Sequence, residues 1–268
     1  MMRLLSLSSK FAMTLLIANA IWSCNPEKSP QQASPYRQIE DPQAREILQK
    51  AIDRAGGWDR WNDVIRMKFD KYTALYEESG QLESEVRQRH KYTFRPEYRV
   101  DISWESDGME QAIQYEDGEV SRLTGGETFE EVDSTSLMNS VLSATFVISL
   151  PFKLLDEGVV LQYDGIDTLH DGQVVRTVKA VYRPSEYNHH STPDTWWHFF
   201  SEDDYRHTGY VVQHADHFSY VKNLSYAEIE GFLFPRDRIS YRVDSLQNIL
   251  YTRARYEYTA YELDIDRR

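Results

Sequence analysis

The chain has 268 residues, with 43 acidic against 30 basic side chains and a formal charge of −13. That balance argues against nucleic acid as a partner, because phosphate binding runs on clustered Lys and Arg, and it disfavours docking on an anionic membrane surface. A single cysteine excludes disulfides and Cys-based metal sites.

At the start of the chain, Arg3 and Lys10 precede an apolar run, Phe11–Ala18, and then small residues. This is the order of a secretory signal. The run is too short to cross a hydrocarbon core of ~30 Å, which takes about 20 apolar residues. The ending Ile21-Trp22-Ser23-Cys24 resembles the lipobox of bacterial lipoproteins. That resemblance implies removal of residues 1–23, lipidation of Cys24 and an outer-membrane lipoprotein facing either the periplasm or the surface. An ordinary signal peptide that ends near a cysteine is the alternative. The cut removes Arg3 and Lys10 and no acid, so an acidic protein would rely on its acyl chains alone, and two or more chains anchor stably where one is marginal. Residues 24–38, rich in Pro, Ser and Gln, read as a flexible tether, leaving 39–268 as one domain.

Asp41-Pro42 supplies an N-cap and a proline at the first helical position, and Gly56-Gly57 closes the run. Between them Ile47, Leu48, Ala51, Ile52 and Ala55 recur at helical spacing. Trp58 and Trp61, three apart, share a face of a short following turn. From Val64 the period changes to two: Ile65, Met67 and Phe69 alternate with polar residues, and Tyr98, Val100, Ile102 and Trp104 do so most clearly. Alternation of this kind means antiparallel strands with one buried face. Turns are expected at Glu78-Ser79-Gly80, Asp107-Gly108 and Asp117-Gly118, the last two being favoured hairpin dipeptides.

Mid-chain, Asp133 or Ser134 can cap a nearly uncharged run, Leu137–Leu150, that Pro151 stops; it reads as one apolar helix, with Thr145–Ile148 also compatible with strand. Strands resume at Val159–Tyr163, Gln173–Tyr182, Trp196–Phe200, His207–His214, Tyr220–Ile229, Arg236–Val243 and Asn248–Leu263. In the last two, Ile239, Tyr241 and Val243 are expected inward, as are Ala254, Tyr256, Tyr258 and Ala260. The expected fold is α+β: a large curved antiparallel sheet of about ten strands, with an N-terminal helix and a mid-chain apolar helix over its concave face.

The segments GGWDRW at 56–61, LPFKLLDEGV at 150–159, TPDTWWHFF at 192–200 and EGFLFPR at 230–236, in that order, resemble an uncharacterised family of Bacteroidota lipoproteins. The resemblance covers about 43–263, with Glu230 standing where Asn is expected before Gly231. That family is similar in turn to the lipoprotein-sorting proteins LolA and LolB, which implies a half-barrel whose helices plug an apolar concave face that holds acyl chains. Fold analogy does not carry function.

The residues then suggest an apolar-ligand face made of Trp58, Trp61, Phe69, Tyr98, Val100, Ile102 and Trp104 from the sheet side and Leu142, Phe146 and Phe152 from the covering segment. Plain core packing would produce the same pattern, as it would for Phe129, Trp196, Trp197, Phe199 and Phe200. His189, His190, His198 and Asp194 form a weaker set for a metal-dependent hydrolase, although no tight ligand spacing such as His-Glu-x-x-His occurs. His214 and His217, three apart, would face opposite ways on a continuous strand. No cofactor motif, phosphate loop or Gly-x-Ser-x-Gly elbow is present. The expectation is a monomeric, non-enzymatic envelope protein that binds a lipid or acyl chain and no nucleic acid. A structural module with a self-filled core is the other reading.

Overall fold

The computed structural model describes residues 34–128, 133–183 and 194–266. Residues 1–23 and Cys24, Phe129, His189 and His190 lie outside the described residues. The compact unit begins at Pro35, within the stretch read as tether. Pro35–Gln38 forms a 3-10 turn, Tyr36 packs on the core, and the Gln38 side-chain amide donates to the Leu155 carbonyl at 2.5 Å. One aromatic ring and one buried acceptor are enough to order a segment whose composition reads as solvated.

Helix α1 spans Pro42–Ala55 and buries Ala44, Ile47, Leu48, Ala51, Ile52 and Ala55. Full burial of each Leu or Ile contributes roughly 1.5–3 kcal/mol. Its cap is the expected one: the Asp41 carboxylate accepts from the backbone N–H groups of Gln43 and Ala44 at 2.9 and 3.1 Å. The other carboxylate oxygen accepts from the Tyr163 N–H at 3.0 Å, which ties the helix start to a strand far along the chain. Burial alone would raise the Asp41 pKa, but these three backbone donors together hold it below the usual carboxylate range. Gly56 ends the helix with φ +127°, and a Cβ there would sit 2.4 Å from the Phe232 ring, so the chain turns hard against the sheet at a point only glycine allows. The short α2 (Trp58–Asn62) follows.

The strands are β1 (Val64–Tyr76), β2 (Leu82–Thr93), β3 (Arg99–Ser106), β4 (Met109–Glu116), β5 (Glu119–Thr124), β6 (Glu127–Thr128), β7 (Val159–Thr168), β8 (Val174–Tyr182), β9 (Thr195–Ser201), β10 (His207–Gln213), β11 (Phe218–Ile229), β12 (Phe232–Val243) and β13 (Ile249–Ile265). All belong to one antiparallel sheet in the order β6-β5-β4-β3-β2-β1-β13-β12-β11-β10-β9-β8-β7. Among the described residues the only non-sequential neighbours are β1 and β13, so the first and last long strands close the middle of the sheet. Helix α3 (Ser134–Ile148) and a 3-10 turn (Phe152–Leu155) carry the chain from one free edge, β6, to the other, β7. Asp133 caps α3 by accepting from the Thr135 N–H. The stretch Thr145–Ile148 is helical, which removes the strand alternative.

Curvature follows from side-chain neighbours. Ile113 on β4 and Tyr210 on β10 line the same cavity, yet seven inter-strand steps separate their strands, about 33 Å if the sheet were flat at ~4.7–4.9 Å per step. The sheet curls round them. Its concave face forms the main core with α1, α3 and the 152–155 turn.

Local turn chemistry behaves as expected. Asp107-Gly108 and Asp117-Gly118 both adopt the positive-φ pair that a two-residue hairpin needs. Glu230 at φ +48° before Gly231 fills the same role between β11 and β12, which explains why Asn would suit that position. Arg60 donates to the Glu230 carbonyl and stacks on Phe232.

Three orientation expectations are corrected. Tyr241 and Val243 belong to a second apolar cluster with Val175, Phe199, Val211 and Tyr220, separate from the concave core, and the concave cavity instead receives Arg238 from β12. Ala260 is exposed because it sits at φ +52°, where the pairing with β1 skips a residue between Thr259 and Glu262. That bulge reverses the alternation and turns Tyr261, Leu263 and Ile265 toward the core. His214 and His217 flank a hairpin turn and approach to 4.6 Å between ring centroids, so they share a site that a continuous strand would have denied them.

Candidate functional site

A cavity of about 400 Å³ lies between the concave face and α3. Its walls come from distant parts of the chain: Phe69 and Lys71 on β1, Gln88 and His90 on β2, Ile102 on β3, Ile113 on β4, Tyr210 on β10, Val221 on β11, Arg238 on β12, and Tyr256 and Tyr258 on β13. The roof is Ser140, Ser143, Ala144 and Val147, which share one stripe of α3 at i, i+3, i+4 and i+7. The large side chains of α3 point elsewhere. Phe146 packs edge-on against Trp196 and Tyr182 at 5.3 and 5.8 Å, so small residues face the void and leave it open. A larger open groove of about 640 Å³, which shares Lys71 and Gln88 with this cavity, is lined also by Asp70, Arg87, Arg89, Glu105, Glu110 and Glu257, and Arg89 pairs with Asp70 there at 3.1 Å. It is a solvated surface.

Of the expected ligand-face residues, the structure brings Phe69 and Ile102 to the cavity. Trp61 instead stacks on Phe152 at 4.5 Å and meets Phe94, Phe232 and Phe234, forming an aromatic plug that Trp58 borders from the rim of the core. Val100 is buried in that core. Tyr98 shares a 2.6 Å hydrogen bond with Thr145 and so ties β3's entrance to α3; burial pushes its pKa up to about 12. Trp104 lies at the edge of the larger groove beneath Arg122, and Leu142 is half-buried away from the cavity lining. Trp196 and Phe200 face the concave core while Trp197 and Phe199 serve the second cluster.

Of the metal set, His198 and Asp194 lie among the described residues and take different partners. His198 is fully buried and its Nδ1 lies 3.2 Å from His207 Nε2, whereas Asp194 takes His214 at 3.0 Å. Among the described residues no cluster of three or more His, Cys, Asp or Glu could hold a metal ion.

The residues that reading by sequence missed are the polar ones in the cavity. His90 and Lys71 were legible, since they share the parity of Tyr92 and Phe69. His90 is buried with its Nδ1 at 2.9 Å from the Tyr92 hydroxyl and its ring stacked on Phe69; burial, reinforced by Lys71, lowers its pKa well below the ordinary value and keeps it neutral. Arg238 had no such signal. It is 3 % exposed and donates to the hydroxyls of Tyr258 and Tyr210 at 3.4 and 3.3 Å.

Structural comparison places this architecture. The chain is similar to a DUF1329 family protein from Desulfovibrio piger, with a TM-score of 0.54 at 10% identity over 84% of this chain and 95% of that one. It is similar also to a LolA superfamily protein from Nitrosomonas europaea, with a TM-score of 0.52 at 11% identity over 82% and 93%. The fold is LolA-like. No protein-family model matches the sequence, and neither does any curated protein. At such identities the LolA-like likeness speaks for the fold alone. Neither neighbour's name carries an enzymatic activity.

Proposed function

We propose that this protein is a non-enzymatic, lipid-anchored protein of the cell envelope that holds an acyl chain or similar apolar ligand in the concave cavity. The observation that carries the reading is the void itself: α3, which contains no charged residue, presents its smallest side chains to it, where Leu or Phe would have filled it. At about 400 Å³ the void falls in the ~300–1,000 Å³ range of small-molecule sites, toward the end that suits one chain. The lipobox-like segment ending in Cys24 and the LolA-like fold are consistent with an envelope setting at the outer membrane. The cavity is read as belonging to a monomer, with the membrane reached through the N-terminal lipid.

The test is binding. The full chain should bind a neutral fluorescent probe such as N-phenyl-1-naphthylamine, C16 amphiphiles should displace it at micromolar concentration, and native mass spectrometry of protein taken from cells should show a bound lipid. Ala144→Trp, which fills the cavity from the roof, should weaken binding at least tenfold while leaving the melting temperature within a few degrees. Binding unchanged by Ala144→Trp would place the ligand elsewhere. For the anchor, Cys24→Ala should move the protein from the membrane fraction to the soluble fraction; unchanged membrane association would remove the lipoprotein reading.

A further inference from the structure

Two cations, Arg238 and Lys71, line the cavity, and neither forms an ion pair among the described residues. Arg238 is buried at its wall with both terminal nitrogens on tyrosine hydroxyls, and its Nε has no hydrogen-bond partner. Both hydroxyl contacts are long for hydrogen bonds, which prefer 2.7–3.2 Å. Arg238 forms no ion pair among the described residues, and no Asp or Glu lines the cavity. Lys71 adds a second cation, its ammonium 5.4 Å from the Tyr256 ring centroid. This is a surplus of positive charge inside a chain whose formal charge is −13. A buried guanidinium without a carboxylate costs several kcal/mol to desolvate, and tyrosine hydroxyls recover only part of it. Burial works against the charge on Arg238, while Tyr210 and Tyr258 favour it, so the group stays a guanidinium. The neighbouring rings do not share the charge. His90, His198 and His207 are all kept neutral by burial.

Resting on the apolar-ligand reading above, we infer that the cavity selects a single-chain amphiphile with an oxyanion head, a carboxylate or a phosphate, with Arg238 as its principal anchor. The planar guanidinium suits such a head because its N–H groups form a fork that a carboxylate or phosphate can accept from. Lys71 adds charge from the cavity wall, and the Tyr210 and Tyr258 hydroxyls can turn to donate to the same oxyanion. The chain then lies along Phe69, Ile102, Ile113 and Val147. An anionic head would supply the missing counter-charge, and a neutral one would leave Arg238 as it is.

The experiment compares ligands of one chain length on the full chain by displacement of the neutral probe at pH 8. Hexadecanoate and a single-chain lysophosphatidate should each displace it at concentrations at least tenfold below 1-hexadecanol, tenfold being ~1.4 kcal/mol. Whichever of the two is tighter identifies carboxylate or phosphate as the head. Arg238→Gln should bring both to within about twofold of 1-hexadecanol measured on the same variant. Should that variant fail to fold, Lys71→Glu, at a half-buried position, should produce the same collapse by supplying an internal carboxylate. Equal displacement by hexadecanoate, lysophosphatidate and 1-hexadecanol would overturn the oxyanion site and leave the apolar-ligand reading standing. Displacement by inorganic phosphate at the same concentration as the amphiphiles would overturn the need for a chain. Displacement by none of them would end the apolar-ligand reading itself.

Discussion

Trp61→Ala is expected to lower the melting temperature by about 6–12 °C in differential scanning calorimetry. Trp61 is the hinge of the aromatic plug: its ring is parallel to Phe152 to within 4° at 4.5 Å and touches three further phenylalanines. Those partners come from the end of β2, the 152–155 turn and β12, so one side chain joins α2 to three separated stretches of chain. Truncating a fully buried Trp costs ~3–5 kcal/mol, transfer and cavity terms together; Trp61 is half-buried, so the low end, about 3 kcal/mol, applies, and for a domain of this size each kcal/mol shifts the midpoint by about 2–4 °C. Trp61→Phe keeps the stack on Phe152 and should lose less than half as much. A shift below about 3 °C for Trp61→Ala would show that the plug closes around the gap and that the sheet is held elsewhere. Because Trp61 is outside the cavity lining, its loss should leave the relative affinity for C16 amphiphiles unchanged at temperatures where the variant is folded.

Acid should destabilise the protein early. His90, His198 and His207 are buried and their pKa values are lowered, His198 to about 3 from 6.5. Their folded-state values lie below the unfolded one, so the unfolded chain binds more protons and stability falls as pH drops. The loss starts near pH 6.5 and continues down through the folded pKa. For His198 alone it reaches ~2 kcal/mol at pH 5, at 1.36 kcal/mol per unit, and His90 and His207 act in the same direction. Since folded domains hold only ~5–15 kcal/mol in reserve, urea denaturation at pH 5 should show a midpoint well below that at pH 7.5. The lowered carboxylates, Asp41 and Asp204 among them, act only near and below their ordinary pKa of 3.8, so the pH 5–6.5 window belongs to the histidines. His90→Phe should flatten the profile in that window. A denaturation midpoint independent of pH between 7.5 and 5 would mean that all three rings take up protons in the folded state as readily as in the unfolded chain.

Much of the architecture is legible residue by residue. Asp41-Pro42 and Gly56-Gly57 bound α1 because capping and chain reversal are decided within a few bonds, and Asp-Gly pairs set hairpins for the same reason. The uncharged run after Asp133 reads as a covered helix, with only its Thr145–Ile148 stretch left open to strand. The candidate site was legible in part: Phe69 and Ile102 were found by alternation, and Lys71 and His90 could have been. Arg238 could not. Strands β8 to β12 are apolar on both faces, as the buried run His207–Val212 on β10 illustrates, so alternation there does not say which side is concave.

By itself, then, the sequence determined the elements, their caps and turns and the one-sided character of the early strands, all of which depend on interactions a few residues long. Only the tertiary structure decided that β1 meets β13, that a bulge at Ala260 reverses the last strand, and that α3 roofs the sheet with serine and alanine. Those are outcomes of long-range register and curvature. They bring Arg238 and Lys71 into one hollow with no acid among its walls, a juxtaposition that no local spacing encodes.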